Sequence, residues 1–106
     1  MKLKYHYDLY FSTSLEKPSA KEEILQEIEE NKLNKSLYVL VLANNPKNSL
    51  EFFKVSYLQQ EIYDDQSFFV IGFAKNYEEA KELVLKITED VVTYTGEADI
   101  RNYFLV

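Results

Sequence analysis

Residues 37–43 read Leu-Tyr-Val-Leu-Val-Leu-Ala, aliphatic or aromatic at every position. A β-strand points successive side chains to opposite faces, so a run of this kind has to be covered on both sides. It therefore reads as a central strand, and it makes a sheet the organising element of the chain. The run is far shorter than the roughly 18–20 apolar residues that span a bilayer as a helix. Residues 67–74 repeat the pattern and read as a second buried strand.

The other elements follow from periodicity. Residues 3–11 alternate, with Leu3, Tyr5, Tyr7, Leu9 and Phe11 on one face and Lys4, His6, Asp8 and Tyr10 on the other, as in a half-buried strand. Pro18 and Ser19 open a helix, with Ser19 and Glu22 at capping-box spacing and Ile24, Leu25 and Ile28 as its apolar stripe; residues 31–35 end it. A polar turn around Pro46 leads to a strand over 50–62, and Asp64 and Asp65 turn the chain into the strand at 67–74. Asn76 caps a second helix, with Glu79 three residues on, the stripe Ala80, Leu83, Val84, Ile87 and Val91, and Gly96 as its stop. The apolar tail 103–106 reads as part of a final strand. The expected order is β-α-β-β-β-α-β in one domain over 1–106. The fold class is α+β: a two-layer sandwich, mainly antiparallel, with four or five strands and both helices on one face.

Splitting the strands by parity sharpens that expectation. Odd positions (Leu37, Val39, Val41, Phe53, Val55, Phe69, Ile71 and Phe73 among them) are uniformly apolar and are assigned to the helix-covered face. Even positions carry Tyr10, Tyr38, Leu40, Leu42, Phe52, Lys54, Leu58, Phe68 and Val70, an apolar centre that a two-layer sandwich leaves wet. Each such side chain gains about 1.5–3 kcal/mol on burial, so the patch needs a cover. The chain's own tail is one candidate. A second copy, packed sheet to sheet in a two-fold dimer, is the other, and those nine residues are its interface candidates. Nine tyrosines favour an interface.

Composition excludes more than it identifies. With no cysteine, disulfides, thiolate nucleophiles and cysteine-ligated metals are ruled out, and a reducing, cytoplasmic setting is expected. No signal-peptide apolar region follows Lys2 and Lys4. Eighteen acids stand against twelve bases, of which only Arg101 is arginine, so the forked donors that read phosphate and guanine are nearly absent and nucleic acid is not an expected partner. The lysine bias suggests an AT-rich coding genome.

Catalytic and metal patterns are thin. His6, Asp8 and Ser56 share the even parity and could be drawn as a Ser–His–Asp set, but no nucleophile elbow or oxyanion loop accompanies them, and a solvent-facing histidine is the expectation. Glu61, Asp64 and Asp65 lack the spacing of a calcium loop and read as turn residues. Two glycines, at 72 and 96, cannot build a phosphate loop. No cofactor, metal or catalytic residue is assigned. Gly72, inside a strong strand, marks a bulge or the close approach of another backbone.

From Ser19 to Tyr94 the order α-β-β-β-α resembles the double-stranded-RNA-binding domain, and Gly72-Phe-Ala-Lys-Asn-Tyr-Glu-Glu-Ala-Lys81 is similar to the start of its second helix. The family places phosphate-gripping lysines there, where this chain has Asn76, Tyr77, Glu78 and Glu79. The resemblance is one of element order and carries no function across. A ferredoxin-like β-α-β-β-α-β order fits as well, with one strand added.

The expectation is a small non-catalytic protein-interaction module, self-associating through the free sheet face. A second reading is an acidic inhibitor or regulator that docks a basic protein partner through Glu78, Glu79, Glu82, Glu89 and Asp90, in a stretch where seven acids face two lysines. A third is a small-molecule pocket at a subunit interface.

Overall fold

The computed structural model describes residues 2–17, 19–30, 37–43, 50–59 and 67–105. The turns around Pro46 and around Asp64–Asp65, and the end of the first helix at 31–35, lie outside them. Four strands, β1 (Lys2–Phe11), β2 (Tyr38–Leu42), β3 (Leu50–Lys54) and β4 (Ser67–Ala74), form one mixed sheet in the order β1-β4-β2-β3. β1 runs parallel to β4, while β2 runs antiparallel to both β3 and β4. Three helices pack on the sheet: α1 (Ala20–Glu29), α2 (Tyr77–Thr95) and α3 (Ile100–Leu105). The fold is α+β, and the run at 37–43 supplies an interior strand as its composition requires.

The helices are not on one face. Val39 and Val41 pack with Ile24 of α1, together with Leu9, Val55, Phe68, Val70 and Phe73. Leu40 and Leu42 pack with Ala80, Leu83, Ile87 and Val91 of α2 and with Ile100 and Phe104 of α3. Neighbouring residues of β2 thus feed two cores on opposite sides, and the sheet is covered on both. This corrects the two-layer arrangement. The even face of the middle strands is as apolar as the odd one, and α2's stripe is long enough to cover it. Leu40, Ile71, Ile87 and Val91 are fully buried there, each contributing about 1.5–3 kcal/mol.

The tail is also a correction, being a helix and not a fifth strand. Ile100 and Phe104 stand four residues apart, on one helical face, and both are buried on α2's side of the sheet. Asp99 accepts a hydrogen bond from the Asn102 N–H at 3.1 Å, which starts the turn. The strand expected over 50–62 stops at Lys54, where Val55–Gln59 coils into a 3-10 helix and the Val55 N–H donates to the Leu37 carbonyl at 2.8 Å.

Gly72 is the pivot of the sheet. On the β2 side, Leu40 pairs with Gly72 and Val41 with Val70, so Ile71 is an extra residue in β4. A bulge of this kind shifts side-chain parity by one. Phe68 and Val70 therefore face α1 with Phe73, while Ile71 and Phe69 face the other core. The parity assignment of Phe68, Val70, Phe69 and Ile71 is thereby reversed. On the β1 side, Tyr5 pairs with Val70 and Tyr10 with Gly72, so residues 6–9 bow outwards against Ile71 alone.

The helix ends are unequal. The Asn76 side chain accepts from the Glu79 N–H at 2.9 Å, and Gly96 closes α2 at φ 79°, both as the sequence indicates. Ser19 makes no side-chain cap, so the capping box read at α1 does not form.

Candidate functional site

Among the described side chains, the sheet-face candidates do not form an outward surface. Leu40, Leu42, Phe68 and Val70 are buried within the single chain, Phe68 and Val70 on the opposite face from the others. Tyr10, Tyr38 and Phe52 are half-buried against the α2–α3 side, where Tyr77 packs on Tyr38 and Phe52 with ring centroids 6.1 and 5.6 Å apart. Lys54 is exposed, and the Leu58 side chain lies outside the described residues. The surplus apolar surface that called for a second copy is taken up by α2 and α3.

His6, Asp8 and Ser56 are not brought together. β1 and β3 are opposite edges of the sheet, and Ser56 lies in the turn after β3. His6 meets Asp8 through the backbone, its Nδ1 accepting from the Asp8 N–H at 3.2 Å. Among the described residues no three acidic or histidine side chains group as metal ligands; Glu61, Asp64 and Asp65 lie outside that set.

The acidic candidates on α2 divide into two kinds. Glu79 is structural: its carboxylate accepts from the Ser14 Oγ at 2.8 Å and the Ser14 N–H at 3.0 Å, tying the turn after β1 to the start of α2. Those bonds, the side-chain one foremost, hold its carboxyl below the usual range. Asp90 is also engaged, accepting from the Tyr10 hydroxyl at 2.9 Å. Burial and that bond push the Tyr10 hydroxyl well above its ordinary value. Glu78, Glu82 and Glu89 point outwards. At 100° per residue they fall within about 80° of one another and of Leu85 and Val92. Leu85 is 64% and Val92 42% exposed, so α2 shows solvent an apolar ridge edged by carboxylates. Lys81 bridges Glu78 at 3.5 Å and sits over the Tyr77 ring. The sequence names the acids of this face but does not single out Leu85 or Val92, although their i, i+7 spacing opposite the core stripe is legible.

A second feature lies beside the bowed part of β1. Tyr5, His6, Tyr7, Asp8, Tyr10 and Phe69, with Tyr103 and Phe104 of α3, line a cleft of about 560 Å³. It adjoins a smaller hollow of about 280 Å³ bounded by Asp8, Leu9, Tyr10, Asp90, Tyr94 and Tyr103. The His6 ring packs edge-on against Phe104 at 4.9 Å, and Tyr94 stacks on Tyr103 at 6.5 Å. Sequence reading misses this grouping because it depends on the tail being helical and on the bulge turning Phe69 to the α2–α3 side of the sheet.

Among the described residues, no helix is long and apolar enough to cross a membrane. Comparison of the chain with protein-family models, with curated proteins and with solved structures finds no match.

Proposed function

We propose that this protein is a non-catalytic, acidic protein-binding module that docks the outer face of α2 on a basic surface of another protein in a cytoplasmic setting. The observation that carries the reading is the ridge of Leu85 and Val92 flanked by Glu78, Glu82 and Glu89. Apolar side chains left on a helix lose little by exposure one at a time, but a ridge of them bordered along one side by carboxylates, of which Glu78 is paired with Lys81, suits a partner offering both an apolar contact and lysines or arginines. The net charge of −6 speeds encounter with such a partner. Self-association through the sheet face loses its motivation, because that face is covered within one chain.

The test compares the wild type with Glu82→Lys/Glu89→Lys by native mass spectrometry and affinity capture from the source cells. The reading expects one basic protein to co-purify with the wild type, to be released as salt is raised, and to be lost from the variant. Retention of the same partner by the charge-reversed protein overturns it. So does a salt-insensitive homodimer that both forms share.

A further inference from the structure

We propose that the cleft between β1 and α3 is a binding site for a small organic cation of the alkylammonium class. Its lining sets the aromatic rings of Tyr5, Tyr7, Tyr10, Phe69, Tyr103 and Phe104 beside the His6 imidazole and the Asp8 carboxylate, with Asp90 in the adjoining hollow. Among the described residues no lysine or arginine lines either space, so Asp8 and Asp90 are the charged carboxylates of the linings and the His6 imidazole is the one basic group beside them. Aromatic faces attract cations through the ring quadrupole, and a nearby carboxylate adds the charge that selects a cation over a neutral apolar group. The volume of about 560 Å³ lies in the range of small-ligand sites.

The fold builds this cleft at some expense to β1. Residues 6–9 leave the regular ladder with β4, and that bow sets His6, Tyr7 and Asp8 around the opening. Tyr7 is 86% exposed, an aromatic ring held at an edge with no core of its own to join. Its ring packs against His6 with centroids 4.5 Å apart, and a bound cation adds a further contact to that exposed ring. The site is separate from the outer face of α2 and does not depend on its docking.

Titration of the ¹⁵N-labelled full chain with tetramethylammonium chloride, against sodium chloride at matched ionic strength, tests the proposal. Expected are saturable amide shifts at Tyr7, Asp8 and Tyr103 with a dissociation constant on the order of 1 mM, and at least about tenfold weaker binding of neutral tert-butanol. Asp8→Asn and Tyr7→Ala, both at exposed positions, should each weaken the cation about threefold or more while leaving the rest of the spectrum in place. Shifts that stay linear, equal binding of tert-butanol, or full affinity in both variants overturn it. The same chemistry can arrive as a free amine or as a lysine side chain. Tighter binding of n-butylammonium than of Nα-acetyl-lysine methylamide identifies the free amine, and the reverse order identifies the side chain. Glu82→Lys leaves these affinities unchanged if the cleft is the site, whatever becomes of α2 docking.

Discussion

Replacing Gly72 by alanine tests the pivot of the sheet directly. A β-carbon placed there comes within 2.5 Å of the Tyr10 carbonyl oxygen, 2.9 Å of the Tyr10 Cβ and 3.1 Å of the Tyr10 carbonyl carbon. Ordinary carbon–oxygen contacts lie at about 3.3–3.6 Å, so the oxygen has to move by roughly 1 Å. It is not free to do so. Tyr10 and Phe11 pair with Gly72 and Phe73, and the Ser12 N–H donates to the Phe73 carbonyl at 3.0 Å. Retreat the other way is blocked, because Gly72 pairs with Leu40 of β2. Overpacking of this kind costs about 1–3 kcal/mol, and the fixed neighbours put Gly72→Ala at the upper end. The stiffer unfolded chain returns about 0.4–1 kcal/mol, leaving a net loss of about 2 kcal/mol. For a chain near 100 residues that lowers the melting midpoint by roughly 10 °C. Urea unfolding followed by far-ultraviolet circular dichroism measures it. Gly96 provides the contrast, since it has open space around it but a φ of 79°. Its alanine variant should lose about 1–2 kcal/mol through backbone strain, and asparagine, which tolerates that conformation, should recover most of the loss. At position 72 asparagine should be no better than alanine. A Gly72→Ala protein within about 0.5 kcal/mol of wild type refutes the close approach of β1 and β4 on which the register argument rests.

Three further outcomes are expected. Tyr10→Phe should cost about 1 kcal/mol at neutral pH by removing the bond to Asp90; because the folded-state hydroxyl is raised above 10.0, the wild type should lose stability as pH climbs past about 10 and the variant should decline less steeply, as thermal midpoints across that range will register. Glu79, held below its ordinary 4.5 by Ser14, contributes stability above that pH and loses it as the pH falls lower; acid unfolding curves should be flatter for Glu79→Gln, and parallel curves refute the contact. Asn76→Ala should cost about 1 kcal/mol in urea, and Asn76→Ser should recover most of it, since serine can also accept from the Glu79 N–H.

How much of this was legible depended on the range over which each signal acts. The two-sided apolar character of residues 37–43 is local, and it led to an interior strand. The Asn76 cap, the stripe from Ala80 to Val91 and the Gly96 stop are contained within α2, and each appears where the sequence puts it. The bulge at Ile71 is different, because it is set by pairing with both β2 and β1 and a single strand's alternation cannot reveal it. That one residue moved Phe68 and Val70 to the other core and turned Phe69 towards the cleft. The tail failed for another reason. Four consecutive apolar residues at 103–106 satisfy a strand as well as a helix, and the decisive pairing of Ile100 with Phe104 begins before that run.

These corrections determine where a partner can bind. In a two-layer sandwich the open sheet face is the natural docking surface; here α1 occupies one face and α2 with α3 the other, so among the described residues contact falls to helix exteriors or sheet edges. Of the edges, β1 is the longer, yet its bow at residues 6–9 interrupts the row of backbone groups that an incoming strand needs. A bulged edge resists strand addition while it re-aims side chains outwards. The irregularity that closes β1 to another strand is therefore the one that opens the aromatic cleft beside it, and side-chain recognition at β1 follows from the same few residues that prevent backbone pairing there.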